Sequence, residues 1–277
     1  MEGQFYKLEK KDIGTLVDYL ARAFEVWAPA KDDGELQFVK VKPGVKIQLE
    51  YGKIQLGPKQ IFFPHQEVLF QTKKGKPREP KIKPVAVLGA HPVDLIGLQR
   101  LDESFGIAPQ DYYWQRRRKN SVVIGIEPKS NHYFSDTLAY YPIIFDLFLH
   151  FSSDNYYLVE VNPRRSIAQK IIQQKIFSAT SLKPKAKTTN RHFDQILSDP
   201  LKVSQIIENS KNSKVWLELG KICLNCGICA FVCPLCYCFN TKDTISASGD
   251  ECKRCRYWDA CVLAKFSEIS GGYNFRD

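Results

Sequence analysis

Residues 223–238 read C-L-N-C-G-I-C-A-F-V-C-P-L-C-Y-C, six cysteines within sixteen residues, and three more follow at Cys252, Cys255 and Cys261. None of the nine stands in the first 222 residues. Thiols crowded at such separations constrain the backbone more than any other feature, because the chain must turn tightly to aim them at a common target. The N-terminus has no apolar core of a signal peptide, and no stretch approaches 18 consecutive apolar residues. The expected setting is therefore the reducing cytoplasm, where clustered cysteines bind metal or carry out redox chemistry instead of forming disulfides.

Cys223, Cys226, Cys229 and Cys233, with Pro234 after the last, spell C-x2-C-x2-C-x3-C-P. This is the ligand spacing of bacterial ferredoxins, which hold 4Fe–4S clusters. Two intervening residues let a tight turn present successive thiolates to adjacent irons, Gly227 admits close backbone approach, and proline prevents the loop from continuing as a helix. Zinc is the rival: Cys223-x2-Cys226 and Cys252-x2-Cys255 have the spacing of a four-cysteine knuckle, which in a basic chain would suggest a nucleic-acid module. That reading orphans Cys229 and Cys233.

The fourth cysteine of such a run, in two-cluster ferredoxins, ligates the other cluster. Here no second C-x2-C-x2-C-x3-C-P exists, but Cys236, Cys238, Cys252, Cys255 and Cys261 remain. One or two clusters are compatible with the arithmetic. With two, Cys236, Cys252, Cys255 and Cys261 are the candidates for the second centre, and one of the five later cysteines is spare.

Upstream, strand and helix signals interleave. Ile13, Leu16, Val17, Leu20, Phe24 and Trp27 fall at helical spacing, predicting a helix over 13–27 that Pro29 ends. Alternation at Val45, Ile47, Leu49 and Tyr51 predicts a half-buried strand, with another at Leu36–Val41. Val85–Gly89 and Val122–Ile126 are apolar throughout and suit strands covered on both faces. Pro92 is placed to open a helix carrying Leu95, Leu98 and Leu101, a further strand is predicted at Tyr156–Val161, and helices near 165–177 and 194–208. The expectation is a mixed α/β (α+β) scaffold over 1–212 and a small ferredoxin-like iron–sulfur domain over 213–277.

The formal charge is +10, concentrated in Lys73–Lys83, Arg116–Lys119 and Lys183–Lys187. The first and last contain proline and read as solvated loops; a dock for an acidic protein is the second reading and nucleic acid the third. Cluster thiolates are anionic, so the formal charge overstates the excess. Neither a membrane nor nucleic acid is an expected partner.

The segment 223–240, with Tyr257-Trp258-Asp259-Ala260-Cys261 and Gly271-Gly272-Tyr273-Asn274-Phe275-Arg276, resembles the iron–sulfur beta subunit of cytoplasmic sulfhydrogenases, a family that includes the electron-transfer subunit of anaerobic sulfite reductase. Upstream pieces agree: Lys59-Gln60-Ile61-Phe62-Phe63-Pro64 with Glu67, the stretch 89–105, and Tyr112-Tyr113 with Arg116-Arg117. The resemblance implies an electron-relay subunit with no bond chemistry of its own. It would stand between a flavin-containing NAD(P)H-oxidoreductase subunit on one side and the small and large subunits of a NiFe hydrogenase on the other, or serve the sulfite reductase instead. Departures accompany it. Family members have R-P-C-D where His91-Pro92-Val93-Asp94 stands, and cysteines near 125–134 where Glu127, His132, Tyr133 and Phe134 stand. They also continue to a second ferredoxin motif, whereas this sequence ends at Asp277; a truncated chain or a shortened natural form with one relay station fewer is expected.

Elsewhere, Asp94 reads as a helix-capping or functional carboxylate, and His65 and His91 as satisfied or surface histidines. Trp258 and its aromatic neighbours are expected to shield a cluster from water. No G-x-G-x-x-G, G-x-S-x-G or Walker sequence is present.

Overall fold

A computed structural model of the chain describes residues 4–128, 144–184, 199–269 and 271–274. Among them, the strands of the first half are β1 (Gln4–Glu9), β2 (Glu25–Asp32), β3 (Glu35–Lys40), β4 (Gln66–Lys73), β5 (Lys76–Arg78) and β6 (Val85–Ala90). They are followed by β7 (Ser121–Ile126), β8 (Leu147–Phe151), β9 (Tyr156–Val161), β10 (Phe177–Thr180), β11 (Phe239–Ile245) and β12 (Glu251–Trp258). The helices of the scaffold are α1 (Ile13–Ala21), α2 (Lys59–Phe62), α3 (Pro92–Gly106), α4 (Tyr112–Lys119) and α5 (Ser166–Ile172). The mixed α/β expectation is borne out.

Eight strands form one sheet in the order β10-β1-β9-β8-β7-β6-β2-β3. Its centre, β2-β6-β7-β8, is parallel, and antiparallel pairs complete both edges. Every residue of β6 and β7 is buried, as their unbroken apolar sequences require of strands covered on both faces. Alternate residues serve two cores. Ala86, Leu88, Val122 and Ile124 face α1 and α5 through Leu16, Leu20, Ala168 and Ile171. Val85, Val87 and Val123 face α2, α3 and α4 through Phe62, Leu95, Leu98 and Trp114. Each fully buried side chain of this size contributes about 1.5–3 kcal/mol, so these layers hold the scaffold together.

Three predicted elements differ; the helix expected near 165–177 ends at Ile172, and Phe177 already belongs to β10. The helix α1 ends at Ala21, and Phe24 and Trp27 lie beyond it, Trp27 within β2. Phe24 N–H still bonds Leu20 at 2.9 Å, but Val26 and Ala28 are then drawn into the sheet beside β6. Tertiary pairing has overridden a helical period. The stretch 45–51 keeps its alternating burial without forming a strand: it meets the sheet through an isolated bridge, Ile47 to Ala30, and through the Tyr51 hydroxyl, which donates to the Gly89 carbonyl of β6 at 2.7 Å. Pro29 accepts from Gln48 N–H at 2.8 Å and has no N–H to return. Of the helix expected over 194–208, the described part is Pro200–Asn209, opened by an Asp199 cap; residues 194–198 lie outside the described residues.

A second sheet, β11-β12-β4-β5, is antiparallel throughout. It joins strands on either side of residue 212. Most of the Lys73–Lys83 segment accordingly extends β4 into the β4–β5 hairpin, and Lys73 pairs with Glu251 of β12 at 2.8 Å. In the Arg116–Lys119 run, Arg117 and Arg118 turn inward onto Glu67 and Asp102 at 2.5 and 2.7 Å, while Arg116 pairs with Glu79 at 3.1 Å on the surface. Residues 185–187 of the third basic run lie outside the described residues.

Candidate metal centre

The helix Lys214–Ile222, capped by Ser213, stops at Cys223, where the backbone becomes extended. Asn225 (φ 51°) and Gly227 (φ 75°) then take left-handed conformations, curling the chain between Cys223 and the short helix Ile228–Val232. A Cβ on Gly227 would stand 3.3 Å from both Ala260 and Leu263, so the turn packs directly against the residues flanking Cys261. Asn225 N–H donates to the Cys223 sulfur at 3.4 Å, orienting that thiol. Cys223, Cys226 and Cys229 are exposed, whereas Cys233, Cys236 and Cys238 are half-buried.

The later cysteines are placed differently. Cys252 and Cys255 lie on β12, opposite Ile245 and Lys242 of β11. Three residues apart on a strand, they project to opposite faces. Cys261 follows the end of β12 and is exposed. Cys238, absent from the ligand set read from sequence, shares a hydrogen bond with Cys236 and receives the Cys261 backbone N–H. Burial, followed by the neighbouring Cys236 charge, pushes its pKa up. Cys236, Cys238 and Cys261 are thus brought together across 25 residues of chain; only their proximity in space, invisible to spacing, reveals it.

Beyond the β4–β12 pairing and the packing of Trp258, three contacts tie this segment to the scaffold. The first is Lys59, 5% exposed, whose ammonium donates to the carbonyls of Phe231, Cys233 and Cys236 at 3.0, 2.8 and 3.1 Å. It also lies 4.3 Å from the centre of the Trp258 ring. Burial lowers its pKa, while the nearby thiols of Cys236, Cys233 and Cys238 act in the opposite sense. The second is Arg256 of β12, 1% exposed, which donates to Glu67 through Nε at 2.7 Å and through a second nitrogen, and pairs with Asp111. Its guanidinium also lies over Phe63 and Phe239 at 4.7 and 5.1 Å. The third is Gly97 on α3: a Cβ there would come within 2.6 Å of Pro234, the residue after Cys233.

Trp258 is buried among Phe63, His65 and Phe231, and donates its indole N–H to the Phe63 carbonyl at 3.0 Å. It forms the floor beneath the helix carrying Cys229. His65 is thus a packing residue. His91 stacks on Tyr51 with ring centroids 3.9 Å apart, beside a cavity of about 680 Å³ that also touches Asp94, Val232 and Pro234. Burial of the Asp94 carboxyl raises its pKa from 3.8 to about 7, against the opposing effect of the His91 backbone N–H at the start of α3. His132, Tyr133, Phe134, Phe275 and Arg276 lie outside the described residues.

The donor set suits an iron–sulfur group: nine free thiols, soft anionic ligands when deprotonated, all between residues 223 and 261, the first three spaced along a left-handed turn. Among the described residues no three His, Cys, Asp or Glu side chains are arranged around a single-ion position. No helix of the described residues is long and apolar enough to cross a membrane.

Comparison with known proteins agrees with this chemistry. Residues 222–277 match the family described as a 4Fe-4S dicluster domain. The chain is 28% identical over 284 residues to sulfhydrogenase 2 subunit beta of Pyrococcus furiosus, covering 99% of this chain and 84% of that protein. No solved structure matches. The chain is an iron–sulfur protein with a 4Fe–4S dicluster domain after its α/β scaffold, similar over 99% of its length to a sulfhydrogenase beta subunit, and this supports a role in electron transfer.

Proposed function

We propose that the protein relays electrons, in the cytoplasm, between a flavin-containing NAD(P)H-oxidoreductase subunit on one side and the small and large subunits of a NiFe (sulf)hydrogenase on the other. Residues 1–212 serve as the platform and 213–277 as the relay. Cys223, Cys226, Cys229 and Cys233 are the ligands of one 4Fe–4S centre; Cys236, Cys252, Cys255 and Cys261 are the proposed source of a second. The observation that carries the reading is the likeness to a sulfhydrogenase beta subunit, which extends through scaffold and cysteine segment alike. Exposure of Cys223, Cys226 and Cys229 supports it, since a relay centre needs a short path to the surface.

Anaerobic purification tests the cofactor: brown protein is expected, with a broad band near ~400 nm that bleaches on reduction and about four or eight irons per chain. Colourless protein with stoichiometric zinc overturns the reading. For the partners, mixing with the flavin subunit of the same complex is expected to make NAD(P)H bleach the band, and bleaching that is no faster than without that subunit overturns the relay assignment.

A further inference from the structure

We propose that Lys59 is a positioning residue of the iron–sulfur site: its ammonium fixes the Phe231–Cys236 backbone and raises the reduction potential of the centre held by that loop. The proposal rests on the iron–sulfur reading above and adds to it a determinant outside the cysteine segment.

An ammonium has three N–H donors and no acceptor. Lys59 has three carbonyl acceptors, those of Phe231, Cys233 and Cys236, so only the charged form can satisfy all of them. All three belong to the stretch that carries Cys233 and Cys236, and all are neutral. The positive charge beneath this loop is therefore not cancelled by a carboxylate at the point of contact. Lysine is almost never this buried without a partner, and here the partners are the cysteine loop itself and the face of Trp258.

The reach of the side chain is fixed as well. Phe62 and Phe63, three and four residues on, are 0% and 1% exposed and lock the backbone from which Lys59 projects. Water screens a surface lysine, whereas this charge is held in a medium of lower dielectric close to the thiols. Reduction adds one electron to the centre with no proton moved, making it more negative. A fixed cation stabilises that state over the oxidised one, so the potential rises.

The test uses the anaerobically purified full chain, its iron content, and redox titrations with dithionite and mediators monitored by electron paramagnetic resonance. Lys59→Gln keeps amide donors for the carbonyls but removes the charge; Lys59→Arg keeps the charge. With iron retained, Lys59→Gln is expected to lower the reduced-to-oxidised ratio at fixed potential about tenfold, a downward shift of about 59 mV for a one-electron couple. Lys59→Arg is expected to stay closer to the unsubstituted protein. An unchanged potential in iron-replete Lys59→Gln, or equal shifts in both variants, overturns the proposal. So does loss of iron from both variants, which would leave Lys59 a merely structural residue. Absence of iron from the unsubstituted protein overturns the underlying reading instead, and the inference with it.

Discussion

In the eight-stranded sheet every residue of β6 and β7 is buried, whereas the helices Lys214–Ile222 and Ile228–Val232 have no buried residue at all. Leu217, Ile222, Leu224 and Ile228 are 68, 74, 87 and 59% exposed. The scaffold is held by apolar area removed from water, which is cooperative and needs no ligand. The two helices of the cysteine segment lack that term, and its apolar burial is concentrated at Trp258 and Ala260, 6% and 0% exposed. Apart from the β4–β12 pairing and Trp258 on Phe63, the contacts described above between segment and scaffold are polar or closely fitted: Lys59 on three carbonyls, Arg256 on two carboxylates, Pro234 on Gly97. It follows that the two regions should respond differently to loss of a ligand, a charge or a methyl-sized space.

The largest effect expected is on iron. Cys226→Ser removes a thiolate from the turn and should lower the iron content by about four per chain, while the circular dichroism and thermal unfolding of the scaffold persist. Iron analysis alongside melting measures both. Collapse of the scaffold with the iron would break the comparison.

Arg256 comes next. Replacement by leucine leaves Glu67 and Asp111 without the guanidinium that joins them, and stranding buried carboxylates costs about 3–5 kcal/mol. Glu67 retains Arg117 at 2.5 Å, which favours the lower end of that range. Denaturant unfolding of the iron-loaded protein measures the loss. A deficit confined to iron retention, with scaffold stability unchanged, would show that Arg256 belongs energetically to the cysteine segment alone.

Gly97→Ala should cost about 1–3 kcal/mol, because the added methyl meets Pro234 side chain and backbone and one of the two must shift. Hydrogen exchange is expected to rise in 223–238 more than in β6 and β7. Equal loosening of both would refute Gly97 as a local contact.

Asp94 gives a pH signature. Its folded pKa, about 7, lies above the ordinary carboxylate value of 3.8. A raised folded value means that the contribution is fully present below the unfolded pKa and is lost as pH rises through about 7. Asp94→Asn cannot ionise, so its stability relative to the unsubstituted protein should grow from pH 4 to pH 8, by about 1–2 kcal/mol once contact with the open cavity is allowed for. A difference that does not change with pH would mean the carboxyl is already ionised throughout.

Much of this arrangement could be read from residues. The β6–α3–β7 unit follows from two apolar runs and a proline placed to open a helix, and the tight turn through the first cysteines follows from their spacing. What escaped has physical reasons. Strand β11, with all seven residues exposed, carries no hydrophobic alternation to betray it. The helix predicted over 13–27 ran too far because Phe24 and Trp27 keep the helical period while β6 recruits their neighbours. The anchors were hidden by distance along the chain: Lys59 meets Cys233 across 174 residues, and Arg256 meets Glu67 across 189. Lys59, Glu67 and Arg117 did stand out in the family resemblance, but nothing local could say that they converge on the cysteine segment. Counting ligands in fours leaves Cys238 out, because the count is blind to the fold that brings it beside Cys236 and Cys261.

The smallest effect expected sits two residues from one of the larger. Arg254 precedes Arg256 on β12 and makes a two-pronged pair with Asp243 at 2.7 and 2.6 Å, geometry as good as that of the buried pair. Its hydrogen bonds to Asp243 hold that carboxyl below its usual pKa. Both side chains are about half exposed, however, so water solvates them equally well apart and salt screens what remains. Asp243→Asn should therefore leave the melting temperature unchanged within measurement at moderate salt. The depressed carboxyl supplies stability above its unfolded pKa that is lost as pH falls, so even the trace expected should vanish in acid. If instead Asp243→Asn proved as damaging as Arg256→Leu, pairing alone would hold β12 in place, and the burial of Arg256 between Glu67 and Asp111 would have no special part in docking the cysteine segment.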